Sequence, residues 1–270
     1  MTTRPWAHAG TAIFVTGLLL AATSCATPTA QSQPTEAPSS PTATTPTAAP
    51  STAQTKAPIL KSDNLPIKGP ANDGRGEYLQ TTIADNDPAM TIDPSIVQDE
   101  VKALFSEEDT ASATKFILTF MAEEGIDSTI NGNPLDTANI NAWWERNKEK
   151  IAPNNQAELL ADMQGQDVNK NLVWRPLFRQ NKYNLVYGAD RPHVVTRTIK
   201  PTSLRAGVVD GALLFGVVAD VNVTMAVVSN GQETIEATNA SMAYTVTKGA
   251  APGSWLITGY TSFFNTTPAG

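Results

Sequence analysis

From Ala26 to Thr55 the chain is built almost wholly from Ala, Thr, Pro, Ser and Gln, with Glu36 its single charge and no aromatic or large aliphatic residue. Such a stretch has nothing to bury, and therefore nothing to offset the entropy lost on ordering. Prolines at 28, 34, 38, 41, 46 and 50 bias it toward extended polyproline geometry, a semi-stiff spacer reaching at most about 3.1 Å per residue. The first 60 to 70 residues or so are thus lost to any core, and roughly 200 remain, enough for one domain. The expected organisation is a signal over residues 1–24, a disordered tether over 25–69 and a single globular domain over 70–270.

The tether is preceded by an export pattern. Arg4 and the amino terminus give a weakly positive start, and Thr11 to Ala22 (TAIFVTGLLLAA) is an apolar run too short to span a bilayer. Ala22-Thr23-Ser24-Cys25 then resembles the lipobox of bacterial lipoproteins, in which the cysteine is fatty-acylated, as with palmitate, and becomes the first mature residue. Ala22 stands where that pattern usually has Leu. Ordinary signal-peptidase cleavage near Cys25 or Ala30, with release of a secreted protein, is the alternative. The resemblance implies a lipid-anchored protein on the extracytoplasmic side of the cell membrane. Cys25 is the only cysteine, so no intramolecular disulfide, thiol catalysis or multi-cysteine zinc site is open to the chain.

Net charge narrows the partners. The chain carries −7; the signal holds Arg4 and no acid, leaving 18 cations against 26 acids, or −8, in the remainder. A domain this acidic is unsuited to nucleic-acid phosphates, and no Lys/Arg run suggests docking on anionic headgroups. Membrane association therefore rests on the lipid, and the expected partners are an envelope protein or a small ligand.

Within residues 70–270, Gly69-Pro70 and Gly74-Arg75-Gly76 interrupt regular structure, with a short strand expected around Tyr78, Leu79 and Ile83. Asp93-Pro94 reads as a helix start, with Ile96, Val97, Val101, Leu104 and Phe105 at helical spacing. Ser106 with Asp109 forms a capping box for the clearest helix, whose face is Ala113, Phe116, Ile117, Phe120 and Met121. Asn131 to Pro134 is a turn, and Thr137 caps a helix bearing Ile140, Trp143, Trp144 and Ile151 up to Pro153. A short helix with Leu159, Leu160 and Met163 follows. From about Leu172 the period changes to two, most clearly in Val217, Ala219, Val221, Val223, Met225 and Val227. Asn230-Gly231 marks a hairpin, and Gly249 to Gly253 a looser turn into Trp255 to Tyr260, giving a three-stranded antiparallel meander. Helices followed by a long antiparallel sheet predict an α+β fold.

That order, with a helix such as Ala113 to Glu124, shorter helices, and late strands ending in Gly253-Ser254-Trp255-Leu256-Ile257, resembles the nuclear transport factor 2-like superfamily over residues 90 to 265. The resemblance implies N-terminal helices packed on a curved antiparallel sheet that forms a cone. It implies a pocket without naming its ligand, since the superfamily includes isomerases, cyclases, dehydratases and non-catalytic envelope modules.

Few residues suggest chemistry. His193 is the only histidine outside the signal; with Asp190 or Asp220 it is a candidate acid/base group of an isomerase or cyclase, against a plain reading as a surface histidine beside a turn. Phe116, Phe120, Trp144, Val221 and Tyr244 are the expected lining of an apolar carrier pocket. Trp143 and Trp144 point about 100° apart on a helix, so one is expected in the core and the other at a rim. Glu123, Glu124 and Asp127 put negative charge against a helix C-terminus, which solvation or a cationic partner would accommodate. Asp127 to Asp136 has oxygen side chains at calcium-loop spacing, yet its twelfth position is Ala138 where a bidentate Glu belongs, leaving a connecting turn. No phosphate loop, nucleophile elbow, HExxH or paired Cys/His set occurs. The expectation is a non-catalytic binding or interaction module without metal or cofactor, with a carrier or an acid/base enzyme as alternatives.

Overall fold

The computed structural model describes residues 65–133, 136–165, 172–173 and 183–267, with side chains apart from 183 and 263–267. All of these belong to one compact unit, Ala57–Gly270. The export signal, Cys25 and the chain up to residue 64 lie outside the described residues.

Five antiparallel strands make the sheet that carries everything else: β3 (Tyr183–Leu185), β4 (Val194–Val209), β5 (Ala212–Ser229), β6 (Gln232–Lys248) and β7 (Trp255–Thr267). β5 is central, with β6 on one side and β4 and β3 on the other; β7 follows β6. The expected meander of β5, β6 and β7 is present, extended by β4 through an Asp210-Gly211 turn. Both Asp210-Gly211 and Asn230-Gly231 have positive φ at each central residue (49° and 81°, 51° and 76°), the backbone that matches the right-handed strand twist and that Asn-Gly and Asp-Gly supply at least cost. Edge strand β4 tolerates Pro201 because the register shifts between Pro201 and Ser203.

The period-two pattern sorts the faces as written. Phe215, Val217, Ala219, Val221, Val223, Met225 and Val227 are buried, while Asp220 and Asn222 are exposed. Ala226, expected on the wet side, is covered instead by Val186 and Val195 in a small second cluster.

The helical half packs on the inner face: α1 (Asp99–Leu104), α2 (Glu107–Phe120), α3 (Thr137–Asn147) and α4 (Gln156–Gln164). The fold is therefore α+β. Ser106 caps α2 by accepting from Asp109 N (3.0 Å). Asp93 caps only a single 3₁₀ turn, Pro94–Ile96; Val97 and Gln98 then bridge to Leu204 of β4, and the helix proper begins at Asp99. α3 is capped by Asp136, one residue before the expected Thr137. Trp143 and Trp144 are both buried, correcting the core-and-rim expectation. Trp143 meets Phe120 edge-on at 6.2 Å, and α4 packs on α3, so α3 is covered from more than one direction.

Two strands precede the helices. β1 (Ile67–Asn72) pairs antiparallel with β2 (Glu77–Thr81), and Gly69 with Pro70 lies inside β1 at a register shift rather than breaking it. Among the described residues the first strand thus starts at Ile67, within the stretch expected to be tether.

After Phe120, α2 continues as one turn of π-helix, Met121–Ile126, a widened turn frequent at functional sites. Gly125 permits its seating: a Cβ there would lie 2.6 Å from the Tyr244 hydroxyl oxygen, which donates to the Leu172 carbonyl (2.5 Å). Gly125→Ala is expected to destabilise by about 1–3 kcal/mol through overpacking, and Tyr244→Phe by about 1 kcal/mol through the lost hydrogen bond. Because Phe frees the space the new methyl needs, urea unfolding of the double variant should show a loss smaller than the sum of the two.

Candidate functional site

The π-turn carries the charges. Glu123, Glu124 and Asp127, read from sequence as an acidic helix end open to solvation, are engaged by side chains from remote elements. Glu124 Oε2 accepts from Trp143 Nε1 (2.8 Å) and Asn147 Nδ2 (3.3 Å) of α3, and its Oε1 accepts from Lys68 Nζ of β1 (3.2 Å). Lys68 Nζ also pairs with Glu123 Oε2 (2.7 Å); Glu123 Oε1 accepts from Thr82 Oγ1 (2.5 Å). Lys150 Nζ stands 4.0 Å from Glu124 Oε1. Burial alone would lower the pKa of Lys68, but the hydrogen bonds and charges of Glu123 and Glu124 outweigh it and hold the ammonium above its ordinary range.

Asp127 ends the turn in full burial. Its Oδ2 accepts from Thr81 N (2.6 Å) and Thr81 Oγ1 (2.8 Å), and Arg197 of β4 donates to Thr81 Oγ1 (3.2 Å) and to the Thr82 carbonyl. Desolvation nonetheless dominates and pushes the Asp127 carboxyl up to about 6, against the Thr81 donors and the Arg197 charge; its Oδ1 has no partner among the described residues. Gln80 Nε2 donates to the carbonyls of Glu123 (2.7 Å) and Asp127 (2.9 Å), satisfying acceptors that the end of the helix leaves open.

Above this floor lies an open polar cleft of about 460 Å³ between β1, the π-turn and the end of α3. Lys68, Arg146 and Lys150 line it together with Glu124, Asn72, Thr129 and Asn147. A second depression of about 300 Å³ lies beside Lys148, Pro153 and Leu256. Neither is lined by the residues the sequence nominated: Phe120, Trp144, Val221 and Tyr244 are buried members of the main apolar cluster, and Phe116 is partly buried against it.

The acid/base candidates are separated. Asp190 and Asp220 are exposed, and Asp220 faces Lys200 and Ser241 in the sheet register. His193 is not a surface residue: it is fully buried, stacked on Tyr78 (centroids 3.8 Å apart, 11° between planes) and edge-on to Tyr187 at 5.0 Å. Neither ring nitrogen has a hydrogen-bond partner among the described residues, and desolvation lowers its pKa to about 3. The ring is neutral at physiological pH. Tyr187 directs its hydroxyl instead to buried Asp73 Oδ2 (2.9 Å). Among the described residues no group of three His, Cys, Asp or Glu is placed to hold a metal, and no helix is long and apolar enough to cross a membrane.

Sequence reasoning missed the cleft. Lys68 was assigned to the tether, Arg146 sits on a helix without a motif, and Lys150 follows that helix in a turn; only the fold brings their charges together. No protein-family profile, curated protein or solved structure matches the chain.

His193 and Asp127 pull stability in opposite directions with pH. The unfolded chain protonates His193 below about 6.5 and the folded chain only below about 3, so its contribution is full above about 6.5 and lost as pH falls. Asp127 titrates near 3.8 unfolded and near 6 folded, so its contribution is full below about 3.8 and lost as pH rises through 6. Between pH ~4 and ~6 the two slopes oppose. Relative to wild type, His193→Phe should make stability fall with rising pH in this window, by up to about 1.4 kcal/mol per unit, and Asp127→Asn should make it rise by a similar amount. Urea midpoints measured across the window check both signs.

Proposed function

We propose that this is a lipid-anchored, extracytoplasmic binding module, attached to the cell membrane through acylated Cys25, held off it by the Pro/Thr/Ala-rich tether, and non-catalytic. The α+β domain serves as the binder, with helices laid on a nuclear transport factor 2-like sheet in which the space of the cone is taken up by apolar side chains. One observation carries the reading: the open cavity of about 460 Å³ is polar and lined by charged and amide side chains, whereas the one histidine outside the signal is sealed and neutral. A site able to hold a polar ligand is thus separate from the group best suited to move a proton. The burial of Phe120, Val221 and Tyr244 favours this over an apolar carrier.

Native mass spectrometry of the full chain, purified gently from its own membranes, tests the binding role. A discrete added mass beyond that of the covalent lipid, lost when the chain is denatured, is expected; a chain carrying only its lipid that instead turns over a small substrate, with activity abolished by His193→Ala, would replace the reading with an enzyme. The anchor is tested separately by feeding cells a fatty-acid analogue. Wild type should be labelled and Cys25→Ser should not, and equal labelling of the two would remove the anchor.

A further inference from the structure

We infer that the cleft between β1, the π-turn and the end of α3 recognises the phosphate or carboxylate of a hydroxylated, sugar-sized molecule. The inference deepens the binding-module reading and rests on it. The lining sets three cations, Lys68, Arg146 and Lys150, against Glu124, and with Glu123 paired to Lys68 beside it the local balance of three cations to two carboxylates is still positive, in a chain whose net charge is −7. The local sign therefore opposes the global one, and an anion is drawn to this place and repelled by most of the rest.

What each cation has left to offer decides the chemistry. Lys68 Nζ is held by Glu123 and Glu124 (2.7 and 3.2 Å). Lys150 Nζ donates to Asn147 Oδ1 (2.9 Å) and lies 5.9 Å from the Phe120 ring centroid. Arg146 is different: it donates from Nη2 to Thr129 Oγ1 and has no other hydrogen bond or ion pair among the described residues. A guanidinium has five N–H donors in a planar fork, so most of the Arg146 fork is open for two parallel bonds to an oxyanion.

Glu124 is a positioning residue. Its carboxylate already accepts from Trp143, Asn147 and Lys68, which leaves it a poor ligand for a cation. It draws the two ammonium groups toward the floor of the cleft and leaves the guanidinium at the rim. Asn72 and Thr129 add neutral hydrogen-bonding groups to the walls, suited to hydroxyls, while the Asn147 amide is already spent on Glu124, Trp143 and Lys150. The volume of about 460 Å³ lies within the range of small-molecule sites, about 300–1,000 Å³. The remaining polar lining gives an extended apolar ligand little to bind against.

Calorimetric titration of the full chain, purified in detergent, with glucose 6-phosphate, glucuronate and glucose tests this. Saturable binding of at least one of the two sugar anions, and none of glucose, is expected. Binding of the phosphate alone assigns a phosphate, of glucuronate alone a carboxylate, and of both the shared oxyanion chemistry. Arg146→Ala should weaken binding at least about tenfold, Arg146→Lys should recover only part of it, and Lys200→Ala, which removes an exposed cation of β4, should leave it unchanged. Absence of saturable binding by either anion, or binding indifferent to Arg146→Ala, overturns the assignment. If the chain from native membranes still carries a discrete mass beyond its lipid that denaturation releases, only the anion chemistry falls; if it carries none, the binding-module reading falls too.

Discussion

Three carboxylates at the end of α2 and its π-turn sit where the helix dipole is negative, and the domain is arranged around the groups that answer them. Lys68 reaches Glu123 and Glu124 from the first strand, Trp143 and Asn147 reach Glu124 from α3, and Thr81 reaches Asp127 from β2 with Arg197 of β4 behind it. One turn of backbone therefore ties together the β1–β2 pair, a helix and an edge strand of the main sheet. Removing one partner leaves the buried Glu124 or Asp127 carboxylate less well compensated, with the share of Lys68 reduced by solvent screening because its side chain is 37% exposed. That dependence makes β1 part of the fold although it follows a stretch with nothing to bury. The widened turn helps: Gly125 lets it press against Tyr244 of β6, so the polar floor and the apolar core meet at one residue.

How much of this is legible in the sequence depends on the range of the interaction that encodes it. Ser106 and Asp109, the alternation through β5 and Asn230-Gly231 are local signals, and α2 and the β5–β6–β7 meander follow from them directly. Asp210-Gly211 carries the same turn chemistry as Asn230-Gly231 and could have been read as a further hairpin. The acidic turn is otherwise: Lys68 and Glu124 are 56 residues apart and Arg197 and Thr81 116 apart, and nothing near Glu124 in the chain announces a cation. His193 was misjudged for the same reason. Its neighbours Asp190, Arg191 and Pro192 look like a surface turn, but Leu79 N donates to the Arg191 carbonyl (2.9 Å) and Tyr78 stacks on the ring, so β2 covers it.

The interior separates two kinds of titratable group. His193 and Asp127 are buried beyond the reach of solvent, one kept neutral and the other shifted upward, and their geometry offers no substrate a path to a ring nitrogen or an acid oxygen. Lys68, Arg146 and Lys150 keep partial contact with solvent at the cleft. The buried titratable groups and the charged lining of the cleft therefore occupy different parts of the fold.

A buried ionic group is weak evidence for a need for stability, since well-packed apolar residues of similar volume often serve a core as well or better. The apolar cluster follows that rule, with Phe215, Val217, Val221, Ile257 and their neighbours buried without charge, and the buried carboxylates Asp73, Asp127 and Glu124 lie outside it. Glu124 is the one of these that also lines the cleft. Its charge is not explained by the closing of the sheet on α2, because Ala113, Ile117 and Leu118 already supply apolar contact there. What the carboxylate adds is orientation: it fixes the indole and amide of α3 from below and holds two ammonium groups at the base of an otherwise acidic domain's cationic cleft. A charge retained where packing does not require it, directly beneath an open polar cavity, is better understood as the foundation of that cavity than as part of the core.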